Sequence, residues 1–242
     1  QIIHQFPYDM FCYWLLLFVF EKQFDLPLLW SYEYTKSELI KEVDFIKEAS
    51  NSERAANDLK MFKDIYIPKI YWENTSKRIM TAEWINGISL KRKRDISKNF
   101  NLSSIMTTIV NCFGHQIFVS GFVHCDPHPG NILIREHPTK KSILGYPKHQ
   151  IVLLDHGLYI EEREEFRQQH CEFWKNLLLR NHTKMEEICK GWGIADSEMF
   201  ISITTMKPYH QKKTIYDSTT KEDIAKMQYR AKERYPNFYF HF

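Results

Sequence analysis

Residues Gly121 to Asn131 read GFVHCDPHPGN. Two histidines, an aspartate, two prolines, a glycine and an asparagine share this one short run. Prolines this dense cannot continue a helix or a central strand, because each fixes φ and lacks a backbone N–H. The run is expected to be a stiff loop whose polar side chains point in fixed directions. Asp126 and Asn131 stand five residues apart on it. Further on, the apolar run Ile151 to Leu154 ends in Asp155-His156-Gly157, where the glycine is expected to let the backbone turn sharply. Ile132 to Ile134 and Ile151 to Leu154, separated by a polar turn bearing Pro and Gly, predict two short strands forming a hairpin beneath a site.

Phosphoryl transfer needs three groups of this kind. One carboxylate orients or deprotonates the attacking hydroxyl, while an amide oxygen and a second carboxylate hold Mg²⁺ against nucleotide phosphates. Mg²⁺ is a hard ion that takes few protein oxygens and keeps water and phosphate oxygens for the rest. The spacing from Asp126 to Asn131 is that of a kinase catalytic loop, D-x-x-x-x-N, and Leu154-Asp155-x-Gly157 fits the metal-binding Asp of D-F-G. A metal-hydrolase reading of His124-x-Asp126-x-His128 would need further His or carboxylate ligands at a spacing of their own, and the sequence offers none convincing. His124 is expected to organise the loop by bonding to backbone, and His128 suits either role.

Composition sets the bounds. The chain has 242 residues, 43% hydrophobic and 15% aromatic, enough for a sizeable core. A net charge of +3 gives no reason to expect a nucleic-acid partner. Five scattered cysteines without a CxxC point away from a disulfide framework and a zinc site. The run Met10 to Phe20 is too short for a bilayer, which needs about 20 residues. It is expected to be a buried helix, with interfacial membrane contact as the alternative.

Ser37 to Lys60 holds no Pro or Gly and carries apolar residues at helical spacing, predicting one helix. Tyr66 to Trp72 and Arg78 to Ile85 are rich in aromatic and β-branched residues and predict a strand pair. Lys91 to Arg94, KRKR, is a solvated connector or else a targeting or phosphate-binding patch. Leu102 to Ser120 predicts a long helix with its stripe in the core. Glu161 to Asn181 and Lys184 to Lys190 predict further helices, with Gly191 as a C-cap.

VHCDPHPGN together with LLDHG resembles the UbiB-like atypical kinases, also called aarF-domain-containing kinases. The helix carrying Glu42, Asp44, Glu48, Ala49 and Asn51 is similar to that family's E-x-D followed by E-A-x-N. Phe6-Pro7, Trp14, Ile67 to Trp72, GFVHCDPHPGNILIR and IVLLDHGLY look most like the first mitochondrial subtype. The similarity covers most of residues 1 to 190. It implies an α+β, bilobal protein-kinase-like fold, with residues 1–85 as a truncated N-lobe holding helix C and the hinge strand. Residues 86–242 would form a largely helical C-lobe.

By resemblance, Asp126 matches the catalytic-loop Asp, and Asn131 and Asp155 match the metal ligands. Glu48 matches the helix-C glutamate that pairs with the nucleotide-binding lysine. Glu42 and Asp44 match the E-x-D pair that meets an N-terminal K-x-G-Q extension. Ala82 to Ile85 resembles the hinge, whose backbone at Glu83 and Ile85 would hold adenine. His124, His128 and Gly157 are motif positions. The cofactors implied are ATP and Mg²⁺.

The departures are as specific. The first glycine is Gly87, so no Gly- or Ala-rich nucleotide loop precedes the hinge, and Lys22, Lys36, Lys41 and Lys47 lack a V-A-I-K-like context. The chain resembles a family member beginning after the first N-lobe strands. Two function classes follow. One is an ATP- and Mg²⁺-dependent ATPase or phosphotransferase, acting on a small-molecule or lipid-linked acceptor in preference to a protein. By resemblance it is tied to quinone and lipid homeostasis in mitochondria, at or near the inner-membrane surface. The other is a non-catalytic scaffold or regulatory pseudokinase. A third candidate, an aminoglycoside- or choline-type kinase, shares H-x-D-x-x-x-x-N but not the E-x-D/E-A-x-N helix.

Overall fold

Residues 2–24, 28–42, 44–140, 147–206 and 229 are described by the structure, a computed structural model. The run Met10 to Phe20 lies within helix α1 (Ile2–Phe24), but not as a buried helix. Met10 alone in that run is buried, while Phe11, Leu16 and Val19 are more than half exposed. Apolar residues occur on every side of this helix, so no single stripe selects a face for the core.

The helix predicted over Ser37 to Lys60 is two helices, α2 (Trp30–Glu42) and α3 (Phe45–Asp58). Asp44 between them adopts an extended backbone, and its carboxylate accepts a hydrogen bond from the Ile46 N–H at 3.1 Å. That is an N-cap, which starts a new helix where apolar spacing alone shows continuity. Strand β1 (Ile65–Tyr66) follows. The predicted strand pair meets only at the bridges Ile70–Ala82 and Ser76–Ile79, around a 3-10 turn at Trp72–Asn74. Tyr71 N donates to Thr81 O and Glu83 N to Lys69 O, both at 2.8 Å. Pro68 has no N–H to contribute to a longer ladder.

Strand β2 (Ile88–Ser89), α4 (Lys93–Asn99) and α5 (Leu102–His115) come next. Asn101 caps α5 by accepting from Ser104 N at 3.0 Å. The predicted helix does not run regularly to Ser120. It widens into a π-helical turn, Gln116–Ser120, and stops at Gly121 with φ +70°. Glycine adopts this left-handed conformation without a Cβ penalty. The chain then enters β3 (Phe122–His124), β4 (Ile132–Glu136), β5 (His149–Leu153) and β6 (Tyr159–Glu161). Helices α6 (Glu164–Leu179), α7 (His182–Gly191) and α8 (Ser197–Thr205) complete the described elements.

The expected hairpin is present: β4 and β5 pair antiparallel, with Ile132 opposite Leu153 and Glu136 opposite His149. The four-stranded sheet has the order β1-β5-β4-β2, with β1 parallel to β5. All five β5 residues are buried. Strands β3 and β6 form a separate pair in which His124 faces Tyr159.

By its contacts the chain forms two units. One takes Trp30–Glu164 with the start of α1; the other takes the end of α1 and the residues from Glu165. The first has a core of Leu59, Ile96, Ile105, Ile134, Ile151 and Leu153 among others. The second is built on Phe173, Leu177, Met185, Cys189 and Ile201. In the second, the left-handed glycine closing α7 is Gly193 at φ +78°, not Gly191. Ile194 N donates to Cys189 O at 2.9 Å and Gly193 N to Lys190 O at 3.0 Å, the paired bonds of a Schellman end. The run Tyr235 to Phe242 lies outside the described residues.

Candidate active site

Asn131 immediately precedes β4, and Asp155 follows β5 by two residues. The antiparallel register that sets Ile132 against Leu153 therefore brings the two positions side by side. Leu154 N donates to Asn131 O at 2.8 Å, extending the pairing past the end of the strand. The side chains meet: Asn131 Nδ2 lies 3.1 Å from Asp155 Oδ2. Asp155 Oδ1 accepts from Gly157 N at 3.3 Å. The sharp turn belongs to Asp155, at φ +59°, and not to Gly157 as predicted. Asp tolerates this region better than most residues because its short polar side chain bonds locally. An amide and a carboxylate held together are hard donors of the kind Mg²⁺ uses, one or two per site. Among the described residues no three His, Cys, Asp or Glu side chains gather as a metal-ligand group.

The loop before β4 is tied by its own residues. His128 N donates to Asp126 O at 2.7 Å, and Asn131 N to His128 O at 2.8 Å. His128 Nδ1 accepts from Gly130 N at 3.2 Å, capping a 3-10 turn over Pro129–Asn131. His124 is buried, its Nδ1 accepts from Asp126 N at 3.4 Å, and its ring stacks on Tyr159 at 5.0 Å. Both histidines thus bond to loop backbone. Burial lowers the pKa of His124. Its backbone N–H is received by Gln116 Oε1 at 2.9 Å, from the π-helical turn. Asp126 is exposed, and its carboxylate has no hydrogen-bond partner among the described residues.

Glu48 and Asn51 lie three residues apart on one face of α3. Both reach the backbone of His156. Glu48 Oε1 accepts from His156 N at 3.3 Å, and Asn51 Nδ2 donates to His156 O at 3.0 Å. The residue after Asp155 is thereby gripped at both its N–H and its carbonyl. Its ring, also buried, is bounded by the Leu153 carbonyl at 3.2 Å and the Tyr159 hydroxyl at 3.0 Å, and burial lowers its pKa to about 4. Burial raises the pKa of Glu48; the His156 N–H opposes the rise and the charge of Asp155 adds to it. No cation meets Glu48 among the described residues.

Asp44 is the α3 cap, and Glu42 is the last residue of α2. The hinge positions differ from one another. Glu83 is engaged through its carboxylate, which accepts a hydrogen bond from the Tyr66 hydroxyl, and through its N–H, which donates to Lys69 O. Ile85 is buried, and its N–H has no partner among the described residues. Sequence reasoning missed the anchoring role of His156 and the part of Gln116. The i, i+3 spacing of Glu48 and Asn51 was a signal for the first. Gln116, inside an apolar helix, gave none.

The comparisons with known proteins agree with the early resemblance. The ABC1 atypical kinase-like domain matches residues 1–189. A Dictyostelium discoideum protein named "Probable serine/threonine-protein kinase abkD" is 38% identical over 232 residues, which is 95% of this chain and 33% of that protein. The ABC1 family protein lscO of Purpureocillium lilacinum is 35% identical over 203 residues, 76% of this chain and 33% of its own length. The Gallus gallus AarF domain-containing protein kinase 1 is 35% identical over 190 residues, 78% of this chain and 36% of its own. The chain thus spans about a third of the length of these relatives. A domain match over more than three-quarters of the sequence and relatives above 30% identity place this chain in the ABC1 atypical kinase-like family, with that family's α+β kinase-like fold.

Proposed function

We propose that these residues carry the catalytic loop and metal site of an ATP- and Mg²⁺-dependent kinase-like enzyme. The observation that carries the reading is the contact of Asn131 with Asp155 at 3.1 Å, at the open end of the β4–β5 hairpin. Asn131 and Asp155 would hold Mg²⁺, which when bound draws charge from the nucleotide phosphates. Asp126 orients or deprotonates the attacking hydroxyl or water. The Ile85 N–H and Glu83 carbonyl receive adenine, and buried Glu48 pairs with a nucleotide-binding cation. We place the small lobe at residues 1–85 and the large lobe at 86–242.

We favour ATP hydrolysis, or transfer to a small-molecule or lipid-linked acceptor, over protein phosphorylation. We assign the activity to mitochondrial lipid or quinone homeostasis, beside the inner membrane. Support for this comes from the resemblance of GFVHCDPHPGNILIR and IVLLDHGLY to the first mitochondrial subtype. The test is nucleotide turnover by the full-length protein. Asp155→Asn is expected to abolish Mg²⁺-dependent turnover, and Asp126→Asn to slow it by about 10²–10⁴ with nucleotide affinity little changed. Turnover that survives Asp155→Asn sinks this reading.

One observation favours a second reading, a pseudokinase scaffold: Glu48 is buried without a cation among the described residues. A full-length protein that binds no MgATP by calorimetry while remaining folded decides for the scaffold.

A further inference from the structure

The KRKR run holds one lysine placed unlike its neighbours. Leu90 N donates to Ile132 O at 2.9 Å, just past the end of β2, and so ties this segment to the start of β4. Ser89 Oγ donates to Pro129 O at 3.3 Å and accepts from Lys91 N at 3.4 Å. These bonds set Lys91 over the loop between Asp126 and Asn131. A Cβ built on Gly130 would stand 2.9 Å from Lys91 Nζ, 3.0 Å from its Cε and 3.0 Å from His128 Nδ1. The ammonium therefore lies against the α-carbon of Gly130, in space that a side chain at 130 would fill. His128 Nδ1 already accepts from Gly130 N, so it is not the partner of Nζ. No carboxylate or other hydrogen-bond partner meets Nζ among the described residues, whereas Lys140, Lys175 and Lys184 each meet an Asp or Glu.

A cation stationed on this loop, beside the residue preceding Asn131, calls for an anion. We propose that Lys91 binds the terminal phosphate of the nucleotide, from the loop side of the site. Lysine suits this task as a compact point charge with three donors that can follow a phosphate oxygen. The inference rests on the proposed Mg²⁺–ATP reading and adds to it a residue that discriminates nucleoside triphosphate from diphosphate.

The test is calorimetric titration of the full-length protein with MgATP and with MgADP. Lys91→Ala is expected to weaken ATP binding about 10- to 100-fold, as loss of a charged hydrogen bond does. ADP binding and the melting temperature should hardly move, because Lys91 is exposed and packs no core. Lys91→Arg should restore most of the preference. Gly130→Ala should act like Lys91→Ala, by displacing Nζ. An ATP-to-ADP affinity ratio unchanged in Lys91→Ala, whether both affinities hold or both fall together, overturns the proposal. Wild-type binding that is abolished by Asp155→Asn but keeps its ratio in Lys91→Ala sinks only the role of Lys91. Wild-type protein without Mg²⁺-dependent nucleotide binding sinks the enzyme reading and this inference with it.

Discussion

Asp155 is held at φ +59°, a conformation that costs a non-glycine residue roughly 1–2 kcal/mol. Its carboxylate offsets the cost by accepting from Asn131 Nδ2 and Gly157 N. The residue can thus be changed in two ways with different consequences for stability. Asn visits the left-handed region readily and keeps an oxygen for Gly157 N. Asp155→Asn is expected to stay within about 0.5 kcal/mol of wild type in urea unfolding. Asp155→Ala keeps the strained backbone and loses both bonds, so it should lose about 2 kcal/mol or more. Equal stability of the two variants would show that the side chain does not support this turn. The comparison also separates fold from function, since either change removes the carboxylate proposed to hold Mg²⁺.

Helix α3 is tied by side-chain hydrogen bonds to several separate segments of the first unit. Glu48 and Asn51 hold His156, Glu53 accepts from Trp72 Nε1 at 2.6 Å, and Arg54 makes a two-pronged contact with Glu161 at 2.7 and 2.9 Å. The Arg54 guanidinium also lies 4.1 Å from the centre of the Phe122 ring. Arg54→Lys keeps the charge but loses the planar fork and the stacking. The pair is largely exposed, so the loss should be about 1 kcal/mol, seen as a lower urea midpoint at unchanged slope. A midpoint equal to wild type would show that the fork and stacking of Arg54 add nothing to holding α3. Elements of this kind were only partly legible in advance. The loop, the β4–β5 hairpin and the Asp126, Asn131 and Asp155 positions follow from proline chemistry, strand-length apolar runs and motif spacing. The break before α3 does not, because Asp44 acts through a hydrogen bond that apolar spacing cannot register. The π-helical turn at Gln116 escapes for a similar reason: it serves His124, eight residues away in sequence, through one amide oxygen.

Across the whole molecule, apolar composition is a poor guide to what is buried. The most apolar helix, α1, is largely exposed, while several polar side chains lie inside. His124, His149 and His156 are among the buried polar residues, and burial lowers the pKa of all three, as it does for His170. His149 offers the cleanest measurement, since it stands on β5, away from the proposed metal site. Its Nε2 meets the Thr108 hydroxyl at 3.0 Å. Burial disfavours its charged form; Asp64 opposes that, while Lys148, His137 and Lys140 reinforce it. The sign follows directly. A histidine whose folded pKa lies below its unfolded value of about 6.5 binds fewer protons folded than unfolded in the range between them. Its contribution to stability is complete above about pH 6.5 and is lost as pH falls toward the folded pKa. The melting temperature is therefore expected to hold between pH 7.5 and about pH 6.5 and to drop as the pH is lowered further. His149→Gln, which keeps a polar group near Thr108 but cannot be protonated, should start from a lower melting temperature and fall less steeply over the same range. Parallel pH profiles for the two proteins would show that His149 is not held neutral by the fold.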